Sequence, residues 1–381
     1  MSAGSDTRSL HVALIDPSGY SRPYDHELAR SLAARGHRVT LWTAAFVHGA
    51  APAAADYRVV EHFYGRSSHL RVGARLRGPA KAAEHVAGLA GLRRAFGRDR
   101  PDVVHVQWAV LRPLDRRFYR RLAATGTPVV FTAHDPLPNV GGPARRRSAA
   151  ATARSFARVI CHSEWGRRAL VERCGVPPGR VRVIPHGAFR YLLDEPDVPE
   201  PAQASGPLAA LPGILRPYKG ADVLVRAWPA VRDLVPGASL VIAGRAMMDL
   251  AALGSAGPGV EIVNRFLSDA ELAALLRRAN VVVLPYRRID SSGVLFAALA
   301  FGRALVLSDV GSFRELHDEH GIGVLVPPGN PAALATAVAG VLEDGAGRRA
   351  LEAASERAAS GPFSWETIAG LHEAVYQELV A

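Results

Sequence analysis

Short apolar runs rich in β-branched residues alternate with amphipathic stretches along almost the whole 381-residue chain, and this alternation narrows the possible folds most. In the first half the runs are HVALI from His11, RVTLWT from Arg38, DVVHVQ from Asp102, PVVFTA from Pro128, RVICHS from Arg158 and VRVIP from Val181. Apolar residues follow one another in these runs instead of taking every second place, so both faces of each strand are expected to be buried. Buried strands separated by helices build βαβ units and a doubly wound α/β sheet.

From Leu192 to Gly213 the pattern stops. LLDEPDVPEPAQASGPLAALPG is rich in Pro, Ala and Gly, has no period, and reads as a linker. After it come GILR, SLVIAG from Ser239, VEIV from Val260, VVVLPY from Val281, ALVLSD from Ala304 and GVLVPPG from Gly323. A last helix follows the break at Gly361-Pro362. The expected architecture is two Rossmann-like domains, 1–192 and 213–361, facing each other across a cleft. A linker over 193–212 joins them, and a C-terminal helix within 362–381 packs back toward the first domain. A chain of this length suits two domains better than one. In such sheets ligands bind at the carboxyl ends of the strands.

Composition narrows the class of protein. Two cysteines, Cys161 and Cys174, fit no metal spacing and read as buried small hydrophobes in a reducing compartment. MSAGSDTRSL lacks the cationic start and apolar run of a signal peptide, and no stretch reaches the roughly 20 apolar residues of a spanning helix. A cytoplasmic protein is expected. Lys and Arg number 46 against 35 acidic residues, a formal charge of +11 that favours anionic partners. Nucleic acid is set aside because no zinc-finger, RRM or helix-turn-helix signature accompanies the charge. ALIDPSGYSRPY does not supply the Gly-x-Gly-x-x-Gly turn, which sets aside a dehydrogenase.

Two segments of the second half carry chemistry. GILRPYKGADVLVRAW passes from a strand into a helix with Arg216 and Lys219 in the turn and Gly220 freeing the backbone. Two cations beside a helix N-terminus suit a diphosphate. A solvated basic turn is an equal reading of the same residues. In LPYRRIDSSGVLFAALAFGRALVLSD a polar loop opens an apolar helix, and Ser291, Ser292, Gly293 and Val294 offer backbone N–H groups to a phosphate. Asp290 is read either as an acceptor for sugar hydroxyls or, like Ser291, as the helix N-cap.

With PDVVHVQW, VVFTAHDPLP, VICHSEWGRRAL, VRVIPHGAF, SDAELAALLRRANVVVLPY and LVPPGNPAALATAV, these strings resemble the family 4 glycosyltransferases of the GT-B fold. The resemblance covers nearly the whole chain and lies in the order and spacing of the strings. It implies transfer of a sugar from a nucleotide diphosphate donor, with UDP expected, with retention of configuration and without metal or other cofactor. Arg216 and Lys219 match the family's diphosphate-binding pair, and His134 matches the histidine that lines the donor sugar. Read without the resemblance, His134 is a buried histidine satisfied by backbone. Gly19 and Tyr20 fall in the loop after the first strand, which has one glycine where a pair is common. Pro185-His186-Gly187 matches the segment entering the cleft near the hinge.

The family's two glutamates are missing. Asp290 is the nearest equivalent of the first, which touches the sugar. The second falls on Ala297 or Ala298, and neither can hold a ribose. That departure leaves open a weakly active or inactive relative that binds sugar nucleotides. A nucleotide-sugar epimerase and a sugar phosphorylase are further alternatives on the same architecture. The acceptor, expected on the first domain near His105, Gln107, Trp108, Asp135 and Asn139, is open between a small metabolite, a glycan and a membrane lipid. Arg66, Arg71, Arg75, Arg77, Lys81, Arg93 and Arg94, with Arg145, Arg146 and Arg147, form a basic surface that reads as a solvated face or as a peripheral membrane contact.

Overall fold

The computed structural model of the chain describes residues 8–46, 56–65, 67, 74–137, 142–254 and 257–381, without the side chains of 74–77. Arg66, Arg71 and Asn139 lie outside the described residues, as do the side chains of Arg75 and Arg77. The chain divides into unit 1, residues 1–185 with 365–381, and unit 2, residues 186–364.

In unit 1 the strands are β1 (His11–Asp16), β2 (Arg38–Ala44), β3 (Arg58–Phe63), β4 (Val103–Val106), β5 (Val129–Thr132), β6 (Arg158–Cys161) and β7 (Val181–Val183). They pair in parallel in the order β3-β2-β1-β4-β5-β6-β7. Helices α1 (Arg22–Ala34), α2 (Ala74–Arg98), α3 (Arg112–Ala123), α4 (Pro143–Ala153) and α5 (Glu164–Arg168) connect them. Every residue of β1 and β4 is buried, as unbroken apolar runs require of central strands. β3 was not foreseen. Its RVVEHF has an edge position and is only partly buried, so its apolar signal is weak.

Unit 2 contains β8 (Leu208–Pro212), β9 (Ser239–Ala243), β10 (Val260–Val263), β11 (Val281–Leu284), β12 (Ala304–Ser308) and β13 (Val324–Val326). Its helices are α6 (Ala221–Leu234), α7 (Asp269–Arg278), α8 (Gly293–Ala300), α9 (Phe313–His320), α10 (Pro331–Glu343) and α11 (Gly345–Ser360). The parallel order is β10-β9-β8-β11-β12-β13. Along β11, Val282 and Leu284 pack with Leu295, Phe296 and Leu299 of α8. Val281 and Val283 pack on the opposite face with Trp228 and Val231 of α6 and Val338 of α10. Each such side chain contributes about 1.5–3 kcal/mol on burial, so both faces of the sheet hold helices firmly.

The expected linker needs correction at its end. Residues 208–212 are not linker but β8, the central strand of the second sheet, with Leu208, Ala209, Ala210 and Leu211 fully buried. LAALP lacks the β-branched residues that mark the other strands. The unit boundary also falls at Pro185/His186 and not at residue 192.

The last helix, α12 (Trp365–Val380), belongs to unit 1. Trp365, Ile368, Ala369, His372, Val375 and Tyr376 are buried there. Glu373 accepts from Arg35 Nε at 2.8 Å and pairs with His37 Nε2 at 3.0 Å, which ties α12 to the end of α1. Among the described residues no helix is long and apolar enough to cross a membrane.

Candidate functional site

Both sheets reverse their strand order beside their first strand, between β1 and β4 and between β8 and β11. Crevices at such switch points are where doubly wound sheets bind ligands. Most of the residues singled out in the sequence lie in the loops that leave these strands.

In unit 2, β8 ends at Pro212, and Gly213 begins a loop that reaches Arg216 and a single 3₁₀ turn over Pro217–Lys219. Gly220, at φ 68°, then starts α6; a Cβ there would lie 2.0 Å from the Pro285 carbonyl oxygen, so only glycine fits. Lys219 is 9% exposed, and its Nζ is 5.5 Å from the centre of the Tyr286 ring. The same Nζ lies 3.2 Å from where a Cβ on Gly213 would stand, and Val294 Cγ2 lies 2.9 Å from that point. Gly213, Lys219 and the first turn of α8 therefore converge. Burial, with the Arg216 guanidinium nearby, lowers the Lys219 ammonium from 10.5 to about 8. No carboxylate among the described residues pairs with Lys219 or Arg216.

A clamp that the sequence did not reveal holds this turn. Arg287 donates to the Pro217 carbonyl at 2.7 Å and to both oxygens of Asp222 at 2.8 and 2.6 Å. Its backbone N–H donates to the Tyr218 carbonyl at 2.7 Å. The bonded guanidinium holds the Asp222 carboxyl below its usual range. Spacing offered no hint of it, because Arg287 and Asp222 stand 65 residues apart.

The N-cap of α8 is Ser292, not Asp290 or Ser291. Its side chain makes no capping bond, and its Oγ lies 3.3 Å from Tyr286 Oη. Helix geometry leaves the N–H groups of Gly293 and Val294 without intrahelical partners, and Gly293 is exposed. Asp290 is 5% exposed, and its carbonyl accepts from Ser312 Oγ at 2.5 Å. Ala297 and Ala298 lie in the core against the sheet, which removes any carboxylate from that turn of α8. His186 belongs to unit 2 as well. Its ring stacks on Phe296 at 4.5 Å, and its Nδ1 bonds the Gly187 carbonyl at 2.8 Å. The Pro185-His186-Gly187 segment thus runs along α8.

In unit 1, Asp16 ends β1 and folds the Gly19 loop back on itself. Its carboxylate accepts from Ser18 N at 3.0 Å, Ser18 Oγ at 2.7 Å and Ser21 N at 3.1 Å. Burial, and then Asp16, push the Asp25 carboxyl well above the usual range. Tyr20 is 61% exposed and meets the Trp108 ring edge-on at 5.3 Å. Trp108 donates to Ser21 Oγ at 2.9 Å and stacks on His134 at 5.2 Å and 15°.

Both ring nitrogens of His134 are engaged. Nε2 lies 2.9 Å from Gln107 Oε1, and Nδ1 lies 3.1 Å from His162 Nε2. His162 in turn bonds the Ile184 carbonyl through Nδ1 at 3.0 Å, and burial lowers it to about 4, so it is neutral. The bond to a carbonyl fixes the proton on His162 Nδ1, which makes its Nε2 the acceptor and His134 Nδ1 the donor; a neutral His134 then accepts at Nε2 from the Gln107 side-chain amide, turned so that its NH2, otherwise unpartnered among the described residues, faces the ring. The backbone-satisfied histidine read from the sequence is therefore a side-chain relay. His162 was missed because it sits one strand further on, in RVICHS. Asp135 and Trp108 share with His134 a cavity of about 40 Å³, room for water and not for a sugar ring. His105 and Gln107 are not available to an acceptor by direct exposure. Both are fully buried, and His105 spends its nitrogens on Tyr376 Oη at 2.7 Å and Thr132 Oγ1 at 2.6 Å.

The model of Glycosyltransferase Family 4 matches residues 24–188, and that of Glycosyl transferases group 1 matches residues 207–344. Glycogen synthase of Mycobacterium tuberculosis is 30% identical over 319 residues, which is 77% of this chain and 74% of that one. A phosphatidyl-myo-inositol mannosyltransferase of Mycobacterium leprae is 35% identical over 165 residues, 42% of this chain and 43% of that one. Among solved structures, sucrose-phosphate synthase from Thermosynechococcus elongatus superposes with a TM-score of 0.74 at 21% identity, covering 98% of this chain and 99% of that one. HepE of Anabaena, solved with UDP-glucose, superposes with a TM-score of 0.67 at 18% identity, covering 96% of this chain and 99% of that one. The fold is GT-B, two Rossmann-like α/β domains. The chain belongs to the family 4, group 1 glycosyltransferases and is a glycosyltransferase.

Proposed function

We propose that the enzyme takes its sugar from a nucleoside diphosphate donor, with UDP as the base, and transfers it with retention of configuration and without a metal. The observation that carries this reading is the buried, carboxylate-free Lys219 beside Arg216 and the start of α8. A buried ammonium without a counter-charge is costly, and a diphosphate supplies that charge. Positive charge at the leaving group also lowers the barrier to its departure, because charge develops there in the transition state. Arg216, Lys219 and the N–H groups of Gly293 and Val294 hold the diphosphate, and Asp290 faces the sugar hydroxyls. The departing phosphate oxygen helps to take the acceptor proton, so no protein nucleophile is required. The HepE complex with UDP-glucose supports the choice of base.

His134 serves as an orienting surface at the donor sugar, because both its nitrogens are engaged and its ring is packed on Trp108. Gly19, Tyr20, Trp108, Asp135, His186 and Gly187 are assigned to contacts with donor sugar and acceptor. The acceptor is assigned to unit 1, and its class spans small metabolites, glycans and lipids. One observation favours a second reading, a weakly active or inactive protein that binds sugar nucleotides: Ala297 and Ala298 leave the ribose without a carboxylate. Incubation of the enzyme with radiolabelled UDP-sugars and an acceptor panel, with Lys219→Ala as control, separates the two. Transfer lost in the variant sustains the first reading. Binding without transfer or hydrolysis across the panel sustains the second.

A further inference from the structure

On unit 1, α2 and α3 enclose a groove of about 780 Å³. Leu89, Phe96, Phe118 and Leu122 form its apolar walls, and Arg93, Arg100, Arg117 and Arg121 stand exposed at its mouth. A second hollow of about 330 Å³ adjoins it, lined by Pro113 and by Arg116, Arg117, Arg120 and Arg121. The two cavities share Arg117 and Arg121. The groove reaches Thr125 and Thr127, just before β5, and Arg100, just before β4. It therefore opens at the amino ends of the strands, whereas Trp108 and His134 follow their carboxyl ends.

The charge here has no internal answer. Asp115, the acid of α3, turns inward to His85 at 2.5 Å. At the end of α2, Asp99 pairs with Arg38 at 2.8 Å, and within that helix Glu84 accepts from Ser67 N at 3.0 Å. Arg100 donates to Thr127 Oγ1 and to the Thr125 carbonyl. No carboxylate among the described residues meets Arg93, Arg116, Arg117, Arg120 or Arg121. Leu114 and Val86, at 45% and 49% exposure, also line the groove and carry its apolar surface out toward solvent. A volume in the roughly 300–1,000 Å³ range of small-ligand sites, with apolar walls, exposed arginines along its rim and an arginine-lined hollow beside it, matches a molecule with a hydrocarbon tail and an acidic head. Four arginines packed around one hollow suit a phosphate or carboxylate, and neither a neutral nor a cationic head would offset them.

We propose that this paired cavity binds an anionic amphiphile, with the hydrocarbon chain between α2 and α3 and the head on Arg117 and Arg121. The site is independent of the donor reading. The test is displacement of 11-(dansylamino)undecanoate, followed by fluorescence, with dodecyl phosphate, dodecyltrimethylammonium and inorganic phosphate as competitors. Two variants accompany it. Arg117→Glu/Arg121→Glu reverses charge on exposed side chains. Gly97→Phe fills the groove from α2, where a Cβ meets no atom within 4 Å.

Dodecyl phosphate is expected to displace the probe at least tenfold better than the other two competitors. Each variant is expected to bind it at least tenfold more weakly while keeping the wild-type circular dichroism spectrum. Displacement by inorganic phosphate alone, or wild-type affinity in both variants, overturns the proposal. Co-sedimentation with phosphatidylglycerol vesicles but not phosphatidylcholine vesicles, lost in both variants, assigns the amphiphile to a membrane. Displacement by dodecyl phosphate without co-sedimentation assigns it to a free molecule, and the site stands in either case.

Discussion

Lys219 illustrates at the residue scale how a binding site costs stability. Its proton is held to about 8 in the fold, against about 10.5 in an exposed lysine. The folded protein therefore binds fewer protons than the unfolded chain between those values, and stability rises with pH across that window. Below about pH 8 the charged ammonium destabilises the empty fold by about 3 kcal/mol, at 1.36 kcal/mol per unit. Lys219→Met should accordingly raise the Tm of the unliganded protein at pH 7 while removing stabilisation by the nucleotide, as scanning calorimetry would measure. A lower Tm in that variant would mean that the ammonium has an internal partner. Titration of wild type should show nucleotide affinity falling as pH rises above 8, where the empty site loses its charge.

Among the elements, the turn before α6 depends on two devices of different legibility. Arg216 and Lys219 were readable because cations between a strand and a helix carry a chemical meaning at short spacing. Arg287 was not, since its partner Asp222 is distant in sequence and the clamp exists only once β11 and α6 are in place. Arg287→Ala should raise the donor KM several-fold with little change in Tm, because an ion pair with one partner 40% exposed contributes about 1 kcal/mol or less. An unchanged KM in steady-state assays would remove the clamp from the account. Gly220→Ala, with its Cβ against the Pro285 carbonyl and φ at 68°, should cost at least 1–3 kcal/mol in denaturant unfolding. The strands divide in the same way. Val-rich β11 and the Leu/Val run of β12 were legible from their side chains, but LAALP of β8 was hidden by the Pro and Ala around it, and β3 by its edge position. The histidine relay was half legible: His134 followed from its motif, whereas His162 reaches it only because β5 and β6 are neighbours.

For the whole molecule, chain order and acid sensitivity follow from the burial of a few groups. Helix α12 leaves unit 2 and completes unit 1 with Trp365, Ile368, Val375 and Tyr376. At about 1.5–3 kcal/mol for each large side chain, its removal approaches the 5–15 kcal/mol that holds a typical domain. Truncation after Ser364 should leave unit 1 unfolded, seen as lost protease resistance within residues 8–185. Burial also lowers His162 and His372 to about 4 and His105 well below its usual value. The unfolded chain takes up these protons near pH 6.5 and the fold does not, so stability falls as pH drops below about 6.5. Each such group adds up to about 1.4 kcal/mol per pH unit to that slope. Chemical denaturation at pH 7 and pH 5 would check it.

The central claim is that unit 2 cradles a nucleoside diphosphate on Arg216, Lys219 and the start of α8, and its most direct test is a thermal-shift titration with UDP, GDP, ADP and TDP. The account predicts stabilisation by UDP, about 2.7 kcal/mol at a hundredfold excess over Kd, and its loss in Arg216→Ala and Lys219→Ala. No shift with any of the four, or the same shift in both variants, would contradict it.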